Sequence, residues 1–136
     1  MFNIGCDQNI DESVKIVEEN RISSELSERA FAIGNPERGR KLYFQCRACH
    51  SLKRNEPHKV GPNLFDIFDK RAAIENGFNY SSALKNSELI WNLETLDLWL
   101  EKPYELVPEN KMIFSGIKDK NDRDDLLAYL YLQTSE

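Results

Sequence analysis

No run of apolar residues in this chain of 136 approaches the ~20 that a membrane-spanning helix needs, and 30% of its residues are charged, with a mean hydropathy of −0.59. A soluble chain is expected. The opening stretch from Met1 to Asp7 has neither a basic n-region nor an apolar h-region, so no signal peptide is read there. Cysteine is scarce: three residues, Cys6, Cys46 and Cys49, are too few and too unevenly placed for a disulfide framework. Positive charge is not in excess either, with 18 Lys and Arg against 23 Asp and Glu and no basic stripe. Neither nucleic acid nor an anionic membrane surface is therefore expected as a partner. Strand-like alternation, repeats and low-complexity tracts are missing, which leaves an all-α class with much loop. The length suits one domain with a thin core, 40% of the residues being hydrophobic.

Charge divides what is present. Residues 1–35 hold 3 basic and 7 acidic residues, whereas the chain from Pro36 onward holds 15 and 16. An acidic N-terminal extension, 1–33, is thereby set apart from 34–136. Val14, Val17, Ile22 and Leu26 fall loosely on one face of a marginal helix, with Asp11 or Ser13 as N-cap. Asn35-Pro36-Glu37 starts a helix predicted to run through Phe44, and its mid-helix Gly39, which costs about 1 kcal/mol against alanine, marks close packing on another helix. Pro57, Gly61 and Pro62 break up His50 to Ile67, with a short helix expected at about 63–70. Asn79-Tyr80-Ser81-Ser82 opens a short helix through Asn86, and Glu94 to Leu100 forms another, stopped by Pro103. Residues 103–117 read as a long loop. Acids at Asn121-Asp122-Arg123-Asp124-Asp125 load the first turn of a C-terminal helix carrying Leu126, Leu127, Tyr129 and Leu130.

So much irregular backbone around so few apolar residues leaves too little core to repay the ordering entropy, so another source of apolar bulk is needed. Cys46-Arg47-Ala48-Cys49-His50 is a C-x-x-C-H pattern, the spacing for covalent attachment of a c-type haem. Two thiols three residues apart reach one edge of a porphyrin while the next side chain places an imidazole beneath the iron. Zinc bound by Cys46, Cys49, His50 and His58, or a thioredoxin-like dithiol, remain as competitors on the pentapeptide alone. A low-spin electron-carrying haem also needs a second strong ligand. Of the two methionines, Met1 and Met112, the second lies in the long loop where a thioether can reach the iron.

These residues, with Gly61-Pro62-Asn63-Leu64, Gly77-Phe78-Asn79-Tyr80-Ser81, Trp91, Pro103, Pro108, Lys111-Met112-Ile113-Phe114, Gly116-Ile117 and Asp124 to Leu130, resemble a class I cytochrome c of the mitochondrial and α-proteobacterial type. The resemblance spans residues 34–134. It implies a cytochrome c fold, three to five helices wrapped around one haem c attached through Cys46 and Cys49, with His50 and Met112 as iron ligands. It further implies that the Pro62 carbonyl orients the His50 imidazole, that Tyr80 and Trp91 hydrogen-bond a buried haem propionate, and that Gly39 and Tyr43 meet Leu126 and Tyr129 across a helix contact. His58 matches a histidine that fastens a loop.

Several positions depart from the family. Trp99 replaces a tyrosine near the methionine sulfur, Lys70 an arginine and Asn110 a threonine that support a propionate. Tyr104 and Glu105 replace a docking-face lysine pair and Glu109 a glycine, while Lys41, Lys59, Lys111 and Lys118 remain. The implied function is that of a one-electron carrier and not an enzyme: a monomer docking transiently on redox partner proteins, from quinol–cytochrome c reductase to a terminal oxidase. The rival is a peroxidase-like or ligand-sensing haem protein with a labile methionine. Signalling through the acidic tail is a second one. The compartment implied is a bacterial periplasm or the mitochondrial intermembrane space, with Cys6 a solvated tail residue.

Overall fold

The computed structural model describes residues 7–135, so Met1 and Cys6 lie outside the described residues. Among these are six α-helices: α1 (Asp7–Ile33), α2 (Pro36–Leu42), α3 (Ser82–Asn86), α4 (Leu93–Glu101), α5 (Pro103–Leu106) and α6 (Lys120–Thr134). A 3₁₀ turn at Tyr43–Gln45 follows α2, and β1 (Lys70–Arg71) pairs antiparallel with β2 (Ile90–Trp91). The all-α class holds, since the ribbon is two residues wide and too short to leave a sequence pattern.

The helix starts are written in cap chemistry. Asn35 accepts from the N–H groups of Glu37 and Arg38 with Pro36 at the first position, and Ser81 accepts from the Leu84 N–H at 3.1 Å. Asn92 and Thr95 form a capping box at the head of α4. For α6 the cap is Asp119, one turn ahead of the acids read from the sequence, its carboxylate accepting from the Asp122 N–H at 2.9 Å.

The crossing of α2 over α6 organises the body. A Cβ added at Gly39 would stand 1.9 Å from the Asp125 carbonyl oxygen and 2.8 Å from Tyr129 Cβ, so the close approach read from the sequence is real. Tyr43 packs on Tyr129 with ring centroids 5.5 Å apart, and Leu126 and Leu127 lie beneath in the core. Gly39→Ala should destabilise the protein by about 1–3 kcal/mol despite alanine's better helix propensity, because a backbone carbonyl cannot step aside. Denaturant unfolding with an unchanged m-value is the measurement; a midpoint at or above the parent's would refute close packing there.

Arg123 joins α4 to α6. Buried, it donates to Asp97 at 2.8 Å, to the Ile117 carbonyl at 3.0 Å and to the Lys118 carbonyl at 2.8 Å. Asp97 is partly desolvated, which raises its pKa, but the hydrogen bonds from Arg123 and Lys120 outweigh this and hold the carboxyl below its ordinary value.

Three expectations need correction. Residues 63–70 form turns and no helix: Asn63 Oδ1 takes the Phe65 N–H, the Asp66 N–H goes to the Thr134 carbonyl, and Asp66 and Asp69 have φ of 59° and 64°. Pro103 does not only end a helix; it opens α5, for which its fixed φ and missing N–H suit the first turn. In the extension, Asp11 and Ser13 lie inside α1 and do not cap it. Nor do its four apolar residues share a buried face. Ala30 is fully buried and Leu26 and Ile33 are half-buried where α1 packs on α6, while Val14 and Val17, roughly opposite on the helical wheel, are exposed. Within α1, Arg21 pairs with Glu18 and Glu25, so the helix carries ion pairs of its own.

Candidate functional site

All nine predicted site residues, Cys46, Cys49, His50, Pro62, Tyr80, Trp91, Trp99, Asn110 and Met112, line one cavity of about 280 Å³. Its walls are otherwise largely apolar, with Leu64, Ile67, Leu84, Leu96, Leu100, Leu126 and Leu130 contributing. It lies where α4, α6, the 3₁₀ turn and the two long loops converge.

The 3₁₀ turn delivers the C-x-x-C-H segment as two successive turns, with the Cys46 N–H bonded to the Tyr43 carbonyl at 2.8 Å and the His50 N–H to the Cys46 carbonyl at 3.0 Å. The Tyr43 hydroxyl donates to the His50 carbonyl at 2.9 Å, which ties the end of the segment to the helix crossing. Sequence reasoning assigned Tyr43 only to packing; a hydroxyl seven residues before His50 was its one signal.

His50 is fixed in direction and in tautomer. Its Nδ1 lies 2.8 Å from the Pro62 carbonyl, and because a carbonyl only accepts, Nδ1 carries the proton and Nε2 keeps a free lone pair. Burial holds the imidazole below its ordinary pKa, against the opposing Pro62 hydrogen bond, so the ring is neutral at neutral pH. Gly61 makes this placement possible, since a Cβ there would stand 2.4 Å from His50 Cε1. From the sequence alone, Gly61 reads as a breaker within a motif, without a role of its own.

Tyr80 is buried and its hydroxyl accepts from the Glu75 N–H at 3.2 Å, which leaves its own proton to donate. Burial raises its pKa and keeps that proton in place. Trp91, buried in β2, lies 5.3 Å from Trp99 between ring centroids at an interplanar angle of 58°. Met112 stands in the loop after α5, its N–H bonded to Asn110 Oδ1 at 2.8 Å and its carbonyl to the Phe114 N–H at 3.0 Å. The Asn110 amide donates to the carbonyls of Pro103 and Val107, so its polar atoms are engaged with the loop itself. Lys70, paired with Asp66 at 3.3 Å, also lines the cavity, together with Arg71, a cation the sequence reading missed because it is visible only as Lys70's neighbour in β1. Around the opening, Ile113 is fully exposed and Val60 is 78% exposed.

Zinc and dithiol chemistry fit this donor set poorly. Both His58 nitrogens are engaged, Nδ1 accepting from the Asn63 N–H at 2.9 Å and Nε2 donating to the Asn76 carbonyl at 2.7 Å, so His58 fastens a loop as expected. Burial, with a smaller contribution from Cys49, pushes the Cys46 thiol up to about 11, a neutral thiol where a redox dithiol needs a thiolate. Among the described residues no group of three or more His, Cys, Asp and Glu side chains could hold a metal ion. Two thiols and an oriented neutral imidazole on the wall of an apolar cavity suit a covalently attached porphyrin.

Comparison with known proteins agrees. No family model matches the chain. It is 41% identical over 107 residues to cytochrome c2 of Rhodomicrobium vannielii, covering 79% of this chain and 86% of that protein. To cytochrome c of Ginkgo biloba it is 36% identical over 104 residues, 76% of this chain and 92% of the relative. Among solved structures it is similar to cytochrome cH from Methylobacterium extorquens, with a TM-score of 0.66 and 39% identity over 71% of this chain and 97% of that one. Sequence likeness at this level across nearly the whole length of each relative, on a fold whose thiols, imidazole and thioether share one apolar cavity, places this chain among the class I cytochromes c, electron-transfer proteins and not enzymes.

Proposed function

We propose that the chain is a one-electron carrier holding a single haem c through thioethers at Cys46 and Cys49, with His50 and Met112 as axial ligands. Residues 34–136 are the cytochrome domain and 1–33 an extension to it. The observation that carries this reading is the imidazole held at 2.8 Å by the Pro62 carbonyl, with Nε2 free, on the wall of a cavity that Met112 also lines. When bound, the haem supplies a ferric/ferrous couple that takes up and releases one electron. The Pro62 carbonyl sets the direction of the His50 ring and strengthens its donor nitrogen. Met112 offers a soft thioether, which favours the reduced state and raises the potential. Tyr80 and Trp91 bring a hydroxyl and an indole N–H to the lining, where a buried propionate charge needs partners, and Lys70 and Arg71 add positive charge at the rim. The apolar walls exclude water and keep the polar rearrangement that accompanies charge transfer small.

Its partners are redox proteins, a quinol-oxidising complex as donor and a terminal oxidase as acceptor, met by a monomer in transient docking. Kinship with two cytochromes c2, from Rhodomicrobium vannielii and Rhodoblastus acidophilus, favours a bacterial periplasm over the mitochondrial intermembrane space. The deciding test of the ligand set is the optical spectrum of the ferric holoprotein. His/Met ligation gives a low-spin spectrum with a weak thioether-to-iron band in the near infrared, and a spectrum without that band would remove Met112 from the ligand set.

The docking surface yields a second expectation. From Pro36 onward the chain carries 15 basic and 16 acidic residues, and Tyr104 and Glu105 stand at docking positions. Electron transfer to a partner built for a basic cytochrome should be slow and only weakly dependent on salt, with apolar contacts around Tyr104 and Phe114 supplying more of the affinity. Stopped-flow oxidation across a salt series measures this; a fast reaction falling steeply with ionic strength would show that Lys41, Lys59, Lys111 and Lys118 suffice.

A further inference from the structure

We infer that Asn110 is the positioning residue for Met112, a clamp that holds a strained loop in the conformation that presents the thioether to the cavity. The inference rests on the reading of Met112 as an iron ligand. Three side-chain hydrogen bonds carry it. Asn110 Nδ2 donates to the Pro103 carbonyl at 3.1 Å and to the Val107 carbonyl at 2.9 Å, while Oδ1 accepts the Met112 N–H at 2.8 Å. One amide thus joins the start and end of α5 to the backbone of Met112. A threonine in the same place has a single proton to donate and could not bridge both carbonyls.

The loop needs a clamp because of the residue before it. Glu109 has φ of 66°, in the left-handed region that favours glycine. Beyond Met112 the chain is anchored again, with the Ile117 N–H on the Leu100 carbonyl at 2.8 Å and Gly116 at φ 107° against the Glu101 carbonyl. Ile113 between them is fully exposed and adds no packing. Met112 is therefore held on its N-terminal side by Asn110 and on its C-terminal side by the loop's return to α4. Without the Asn110 amide, the strain at Glu109 would be released by swinging Met112 outward.

The test uses ferric holoprotein. Asn110→Ala should weaken the near-infrared thioether band, lower the reduction potential, and raise the rate of binding of added imidazole roughly tenfold, the change that about 1.4 kcal/mol of lost net hydrogen bonding produces. Adding Glu109→Gly to that variant should restore much of the band, because the strain that the clamp opposes is then gone. A merely structural role would lower the denaturation midpoint without moving band, potential or ligand rate. An Asn110→Ala protein with the full band and an imidazole rate within twofold of the parent overturns the clamp while leaving Met112 as ligand; a parent without the band overturns both. Hydrogen exchange on the unsubstituted holoprotein is independent of whether the variant folds: a protected Met112 amide supports the clamp, and one exchanging as fast as an exposed amide overturns it.

Discussion

A chain carrying Cys46→Ser and Cys49→Ser should fail to form a compact fold at neutral pH. The cavity lies in the middle of the core: Tyr43, Trp91, Leu96, Leu100, Leu126 and Leu130 belong both to its lining and to the main apolar cluster. Unfilled apolar space costs about 24 cal/mol per Å³, so 280 Å³ amounts to roughly 7 kcal/mol. The whole stability of a domain this size is about 5–15 kcal/mol, and the figure here is an upper one because the cavity opens to solvent. A bound group that occupies this space stabilises the folded state by mass action, and covalent attachment prevents its loss on dilution. Circular dichroism and gel filtration should therefore report an expanded chain with little fixed tertiary structure. A cooperative, compact unfolding transition in the double variant would show that the protein core is sufficient alone.

Met112→Ala should lower the reduction potential by at least about 0.1 V, a modest share of the ~0.8 V over which axial ligands tune haem iron. The thioether favours ferrous iron, and no second methionine is available to replace it within the described residues, Met1 being the other in the chain. The low-spin His/Met spectrum should go with it, leaving a site open to added ligands. Potentiometric titration with the optical spectrum checks both, and a variant with the parent's potential and spectrum would mean that another group binds there. Because Asn110 acts only through Met112, its substitution should move the same observables part of the way.

The parts that rest on local chemistry were legible in the sequence. The C-x-x-C-H spacing and the asparagine and proline at the head of α2 are each decided by a few adjacent side chains. Elements decided by partners far along the chain were not. The helix expected at 63–70 is lost because the Asp66 N–H has an acceptor at Thr134, nearly seventy positions away, and a pattern of local residues cannot register that bond. In α1 the docked stripe runs through Ala30 and Ile33 because α6 lies there, whereas Val14 and Val17 have the same apolar character and stay exposed. The sequence by itself determined the attachment chemistry and the identity of the candidate ligands, since thiol, imidazole and thioether are properties of single side chains. Only the tertiary structure decided which nitrogen of His50 is free, why residue 61 must be glycine, and that the Asn110 amide bonds its own loop, because each depends on backbone groups brought within 3 Å or so of a side chain by folding.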